Sequence, residues 1–176
     1  MVLGGDAPPD GTSLRAVRDL LARGKEFVPA GAEAWAGPEV AALRTAEELG
    51  LNPLVAPALR DRGYGAWAGR RFEDLLTNEP GPVQAWLAAP HNATPEGESA
   101  ADLVGRVGGW LDALPSSAGG DAPARRRVVA IVHPTVVCAA VLHVLAAPPA
   151  ALRQVDIRPL ARVRMTCHDT TWSVAL

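Results

Sequence analysis

The apolar positions of this chain fall into helical and strand-like runs separated by Gly- and Pro-rich breaks. Leu14, Val17, Leu20 and Leu21 recur at helical spacing, with Thr12 or Ser13 available as N-cap. Glu39 to Leu49 forms a second helical segment stopped by Gly50. Phe72 to Leu76 is a short third, ended by the Pro and Gly residues that follow. Ser99 opens a fourth, with Asp102 three residues on as a capping-box variant; Leu103, Val107, Trp110, Leu111 and Leu114 supply its buried stripe. Val128 to Val132 is apolar at every position, as expected of a central parallel strand covered on both faces. It runs into Pro134, which suits a first helical position, and then a helix from Thr135 to Leu145.

Shorter strand signals are Met1 to Leu3, Ala34-Trp35 and Leu54-Val55. Val163 to Cys167 and Thr171 to Val174 read as strand-turn-strand with His168-Asp169 between them. Gly4 to Gly11, Pro90 to Gly97 and Pro115 to Pro123 read as loops. Helices alternating with strands predict an α/β fold, a three-layer αβα sandwich with a mostly parallel central sheet. At 176 residues the whole chain is expected to be one domain.

Composition narrows the function classes. Charged residues make up 20% and the hydrophobic set 48%, so the chain can bury a core. A formal charge of −2 argues against nucleic-acid or membrane-surface binding. The one basic run, Arg125-Arg126-Arg127, reads as a solvated approach to the strand after it. Two cysteines, Cys138 and Cys167, make no disulfide framework and fit buried thiols in a reducing compartment. Without a basic-plus-apolar leader or a long apolar run, a soluble cytoplasmic protein is expected. In that setting Asn92-Ala93-Thr94 is a chance match to a glycosylation sequon.

Two segments carry candidate chemistry. Val128-Val129-Ala130-Ile131-Val132-His133-Pro134 ends a strand on a histidine at the mouth of a helix. Open α/β sheets place ligands just beyond such strand ends, and the helix N-terminus there favours an anion. The second is Leu59-Arg60-Asp61-Arg62-Gly63-Tyr64-Gly65-Ala66-Trp67-Ala68-Gly69-Arg70.

Read in order, these and two further segments resemble the histidine phosphatase (phosphoglycerate mutase-like) superfamily from about Ala34 onward. Gly37-Pro38 followed by Arg44-Thr45-Ala46-Glu47-Glu48-Leu49 resembles its Ser-Pro-Leu…Arg…Gln-Thr-Ala helix. Tyr64 to Gly69 with Phe72-Glu73-Asp74-Leu75 resembles its aromatic-Gly-x-Trp-Glu-Gly stretch. Pro95-Glu96-Gly97-Glu98-Ser99 with Arg106-Val107 resembles its Pro-Gly-Gly-Glu-Ser…Arg-Val segment, and Val132-His133 its Ser-His-Gly strand end.

In that family an N-terminal Arg-His-Gly loop supplies the histidine that attacks the phosphoryl group. Arginines and a second histidine hold the oxygens, and an acidic residue protonates the leaving group. The resemblance places the second histidine at His133 and the acid at Asp61. It places the helix arginine at Ala41, and the N-terminal loop at Val2-Leu3-Gly4-Gly5-Asp6, with Leu3 and Gly4 in the arginine and nucleophile positions. A phosphoryl-transfer site works by positioning and fixed positive charge, so these replacements imply a dismantled phosphatase. Arg44, Arg60, Arg62 and Arg70 are the arginines nearest to hand, but their spacing does not point to compensation.

His133 and Asp61 remain as an acid/base or orienting pair, since a carboxylate beside a histidine fixes its tautomer. Trp67 and Trp86 are candidates to line an apolar ligand site, and Tyr64, Arg62 and Glu98 to bind substrate. His143 reads as a core histidine, His91 and His168 as surface residues. No metal-ligand spacing is present, and no cofactor is expected. The expected function is binding or transformation of a small non-phosphorylated metabolite. The alternative is a catalytically silent pseudophosphatase acting as scaffold, with a homodimer or protein partner; residual phosphomonoester hydrolysis ranks third.

Overall fold

The computed structural model describes residues 2–22, 28–89, 91–114 and 126–175. Met1, Pro90, the Pro115 to Pro123 loop and Arg125 lie outside the described residues. The elements are α1 (Gly11–Ala22), β1 (Glu33–Ala36), α2 (Val40–Glu48), β2 (Leu54–Val55), α3 (Phe72–Asn78) and α4 (Pro80–Ala88). They continue with α5 (Ala100–Asp112), β3 (Val128–Ile131), α6 (Pro134–Val144), β4 (Arg164–His168) and β5 (Thr171–Ala175). The fold is mixed α/β with a parallel central sheet.

That sheet has the order β2-β1-β3, so β1 is central and β3 flanks it. This corrects the expectation that Val128 to Val132 is a central strand covered on both faces: all four residues of β3 are only half-buried. Trp35 of β1 pairs with Ala130 of β3, and both pack against the main core. Trp35 meets Trp110 of α5 edge-on, with ring centroids 5.9 Å apart. Leu103, Val107 and Leu111 of α5 and Val136, Ala139 and Leu142 of α6 fill that core. The two helices approach closely because Gly108 has no side chain: a Cβ there would lie 2.2 Å from His143 Nδ1. His143 is therefore wedged between the helices, its Nε2 paired to Asp112 at 3.1 Å.

Ser99 caps α5 with the full capping box, the Ser99 hydroxyl accepting from Asp102 N–H and Asp102 accepting from Ser99 N–H. Asp10, rather than Thr12 or Ser13, caps α1; its carboxylate accepts from Ser13 N–H at 2.7 Å. Phe72 to Leu76 extends to Asn78, and a further helix, α4, follows where the prolines suggested a break. Pro80 sits at its first position, where a missing N–H costs nothing. The C-terminal pair is the expected antiparallel hairpin. Its turn falls on Asp169 and Thr170, both with positive φ, one residue later than expected.

The N-terminal strand expectation is corrected. Val2 forms a single antiparallel bridge to Arg71, and among the described residues no ladder joins it to the parallel sheet. Leu3 N–H donates to Arg70 C=O at 3.0 Å, and Gly69 N–H donates to Leu3 C=O at 2.8 Å. Leu3, 4% exposed, enters a second apolar cluster with Trp67, Leu75 and Val83.

Candidate functional site

His133 leaves the end of β3 in extended conformation and N-caps α6, with no hydrogen bond from its side chain to the helix. Asp61 comes from the segment after β2, which a 3-10 turn (Pro57–Leu59) redirects. The two side chains face one another, His133 Nδ1 standing 3.8 Å from Asp61 Oδ2. That is ion-pair range, longer than a direct hydrogen bond. His133 Nε2 is sealed from solvent and has no hydrogen-bond partner.

Several groups hold the Asp61 segment in place. Glu39, the N-cap of α2, accepts the Asp61 backbone N–H at 2.7 Å. Arg106 of α5 donates through Nη1 to the carbonyls of Ala58 and Arg60, at 2.8 and 3.0 Å. The same guanidinium holds Glu98 through two 2.8 Å contacts, while Glu98 also accepts Gly63 N–H at 3.1 Å. Burial opposes ionisation of Glu98. The Arg106 hydrogen bond, Gly63 N–H and the charges of Arg106 and Arg60 outweigh that penalty and hold its carboxyl below the ordinary range. Residues 91–98 then clasp the next stretch. Thr94 Oγ1 donates to Tyr64 C=O at 2.8 Å, and Gly65, at φ +51°, lets the backbone of Pro95 to Gly97 lie directly on it.

A cavity of about 440 Å³ opens over His133 and Asp61. Leu3, Gly4 and Gly5 form one wall. Tyr64, Arg62 and Trp86 line it as well. Burial, and then the nearby Asp61 carboxylate, raise the Tyr64 phenol above its usual pKa, so it stays a neutral donor at pH 7. Arg62 is 6% exposed and its guanidinium is spent on backbone: Nε donates to Glu98 C=O at 3.0 Å and Nη2 to Asn92 C=O at 2.7 Å. Burial lowers its pKa, and the acidic side chains around it oppose that shift. It also lies over the Tyr64 ring, 5.9 Å from the centroid.

Five of the seven residues expected at the site therefore line one cavity: His133, Asp61, Tyr64, Arg62 and Trp86. Two stand elsewhere. The Glu98 carboxylate is consumed by Arg106, Arg60 and Gly63 beneath the loop. Trp67 is fully buried, its indole N–H donating to Glu79 at 2.9 Å. It borders a separate cavity of about 270 Å³ with Pro82, Asn92 and Pro95. Trp86 stands between the two cavities, edge-on to Trp67, with its own indole N–H buried and unpartnered.

Sequence reasoning missed Thr135, Leu152 and Arg153 on the wall. Thr135 follows His133-Pro134 directly and was within reach of that motif. Leu152 and Arg153 come from a short 3-10 segment (Pro149–Gln154) with no motif of its own. Among the described residues no cluster of His, Cys, Asp and Glu is arranged to hold a metal ion. No helix among them is long and apolar enough to cross a membrane.

Comparison with known proteins extends this picture. A search of curated protein sequences returns no match. Solved structures of similar shape include mycobacterial glucosyl-3-phosphoglycerate phosphatase, 22% identical with TM-score 0.72, the alignment covering 99% of this chain and 90% of that one. The alpha-ribazole phosphatase from Shigella flexneri is 15% identical with TM-score 0.80, covering 99% and 87%. Mycobacterial hydrolase 1 is 21% identical with TM-score 0.74, covering 99% and 89%. At these identities the likeness is one of fold. The sequence profile of the Histidine phosphatase superfamily (branch 1) matches residues 6–176, and the chain accordingly belongs to that superfamily.

Proposed function

We propose that this histidine-phosphatase-fold protein works without a phosphohistidine nucleophile, and that its cavity binds or transforms a small non-phosphorylated metabolite through His133 and Asp61. One observation carries the reading: the wall of the His133 cavity where the family's Arg-His-Gly loop is expected is built from Leu3, Gly4 and Gly5. Leu3 is packed into an apolar cluster, and a Cβ on Gly4 would meet Tyr64 Cδ2 at 3.2 Å. Among the described residues, His133 is the one histidine bordering the cavity. Asp61 beside it repels a second negative charge, which disfavours a phosphate dianion.

In this reading His133 and Asp61 serve the bound molecule as acid/base or orienting groups, Asp61 setting the orientation of the His133 ring. Trp86, Tyr64 and Arg62 are proposed to shape the binding site, whereas Glu98 and Trp67 hold its surroundings.

A para-nitrophenyl phosphate assay tests the absence of phosphatase chemistry. The expected rate equals buffer background, and turnover abolished by His133→Ala would overturn the proposal. Thermal-shift screening with phosphate-free metabolites tests the binding arm, with stabilisation expected in the native chain and lost in His133→Ala/Asp61→Ala. The long His133–Asp61 contact also suits a silent scaffold. That second reading is selected if no metabolite shifts the melting temperature while a protein partner does.

A further inference from the structure

We infer that Arg153 is the anion-recognising residue of the His133 cavity and that its ligand is a small molecule bearing a single carboxylate. The inference rests on the cavity reading above and adds the chemical class of the ligand. The neighbouring arginines are occupied: Arg106 and Arg60 by Glu98, Arg70 by Glu79, and Arg62 by two backbone carbonyls. Arg153 lines the cavity and has no ion-pair or hydrogen-bond partner among the described residues, and its charge is near enough to act on the Tyr64 phenol. A guanidinium presents two parallel N–H groups whose spacing matches a carboxylate.

The rest of the wall sets the charge and body of the ligand. Tyr64 remains a neutral hydroxyl donor, and Thr135 adds a hydroxyl in the first turn of α6. Asp61 supplies a fixed negative charge that offsets one cation, so a monoanion is balanced where a dianion is not. Leu152 and Trp86 offer apolar surface, and about 440 Å³ accommodates a ligand the size of an aryl or branched-chain acid.

The test compares 3-phenylpropionate, its amide 3-phenylpropionamide and inorganic phosphate on the full chain at pH 7, by calorimetry and by tryptophan fluorescence, since Trp86 borders the site. The acid is expected to bind about tenfold or more tightly than the amide. Arg153→Gln should erase that preference by weakening the acid more than the amide, with the melting temperature unchanged, and Arg153→Lys should restore part of it. Equal affinity for acid and amide, or an Arg153→Gln variant that keeps the preference, overturns the inference. If in that case His133→Ala/Asp61→Ala still weakens both probes, the cavity reading survives. Phosphate binding more tightly than the acid, with phosphate-ester turnover dependent on His133, overturns both.

Discussion

Glu39 Oε1 accepts the backbone N–H of Asp61 at 2.7 Å, so the acid of the cavity is positioned from the N-terminus of another helix. The second Glu39 oxygen is buried without a partner. It lies 2.6 Å from the point where a Cβ on Gly37 would stand, and Leu59 C=O lies 2.8 Å from the same point. Glu39→Gln keeps an acceptor for Asp61 and offers a donor where none exists now. That variant should be at least as stable as the native chain, while Glu39→Ala should lose about 1–3 kcal/mol. Urea unfolding midpoints decide it: equal losses in both would show that the charge, and not the acceptor, holds the loop.

The Gly108–His143 contact predicts a reciprocal pair. Gly108→Ala drives a methyl into the His143 ring and should cost about 1–3 kcal/mol. In a His143→Ala background the same change should cost far less, because the ring is gone. A double-mutant cycle by thermal unfolding measures the coupling; additive losses would refute the wedge.

Glu98 gives the acid side of the stability profile. Its carboxyl is held below the ordinary value of 4.5, so the native state favours the charged form and the unfolded state binds more protons. The stabilisation is complete above that value and declines as pH falls through the depressed one. Stability should therefore drop from about pH 4.5 downward. Glu98→Gln should start lower and show a shallower decline over that range, as read from melting temperatures across pH. A parallel curve would remove Glu98 as the titrating group.

On the proposed reading, an arginine at Leu3 and a histidine at Gly4 should not create a phosphatase. Leu3→Arg places a charge in the cluster of Trp67, Leu75 and Val83, a loss of about 3–5 kcal/mol. Gly4→His forces a side chain onto φ +59°, costing about 1–2 kcal/mol more. Circular dichroism should show the double variant largely unfolded. A folded double variant that hydrolyses para-nitrophenyl phosphate would show the loop to be permissive.

The fold was legible wherever periodicity and capping agreed. Ser99 with Asp102 marked the start of α5, and Gly50 marked the end of α2. α4 was hidden because Pro80 and Pro82 read as breakers, although the first turn of a helix tolerates both. The position of β3 was misjudged because an all-apolar run reports burial without saying which neighbours provide it. Of the residues the motifs nominate, His133, Asp61, Tyr64 and Trp86 line one cavity, whereas Trp67 borders another. The motifs did not separate Glu98, which turns toward Arg106, from Arg62, which borders the cavity. Sequence order does not say which way a loop side chain points. Arg153 is brought to the cavity by tertiary packing of a segment with no local signature.

The loop that carries Asp61 hangs on Glu39, Glu98 and Arg106, none of which borders the His133 cavity. The side chains from which this loop hangs are thus different from those that line the cavity. A change in the lining at His133, Thr135 or Arg153 would therefore leave the scaffold of the Asp61 loop in place.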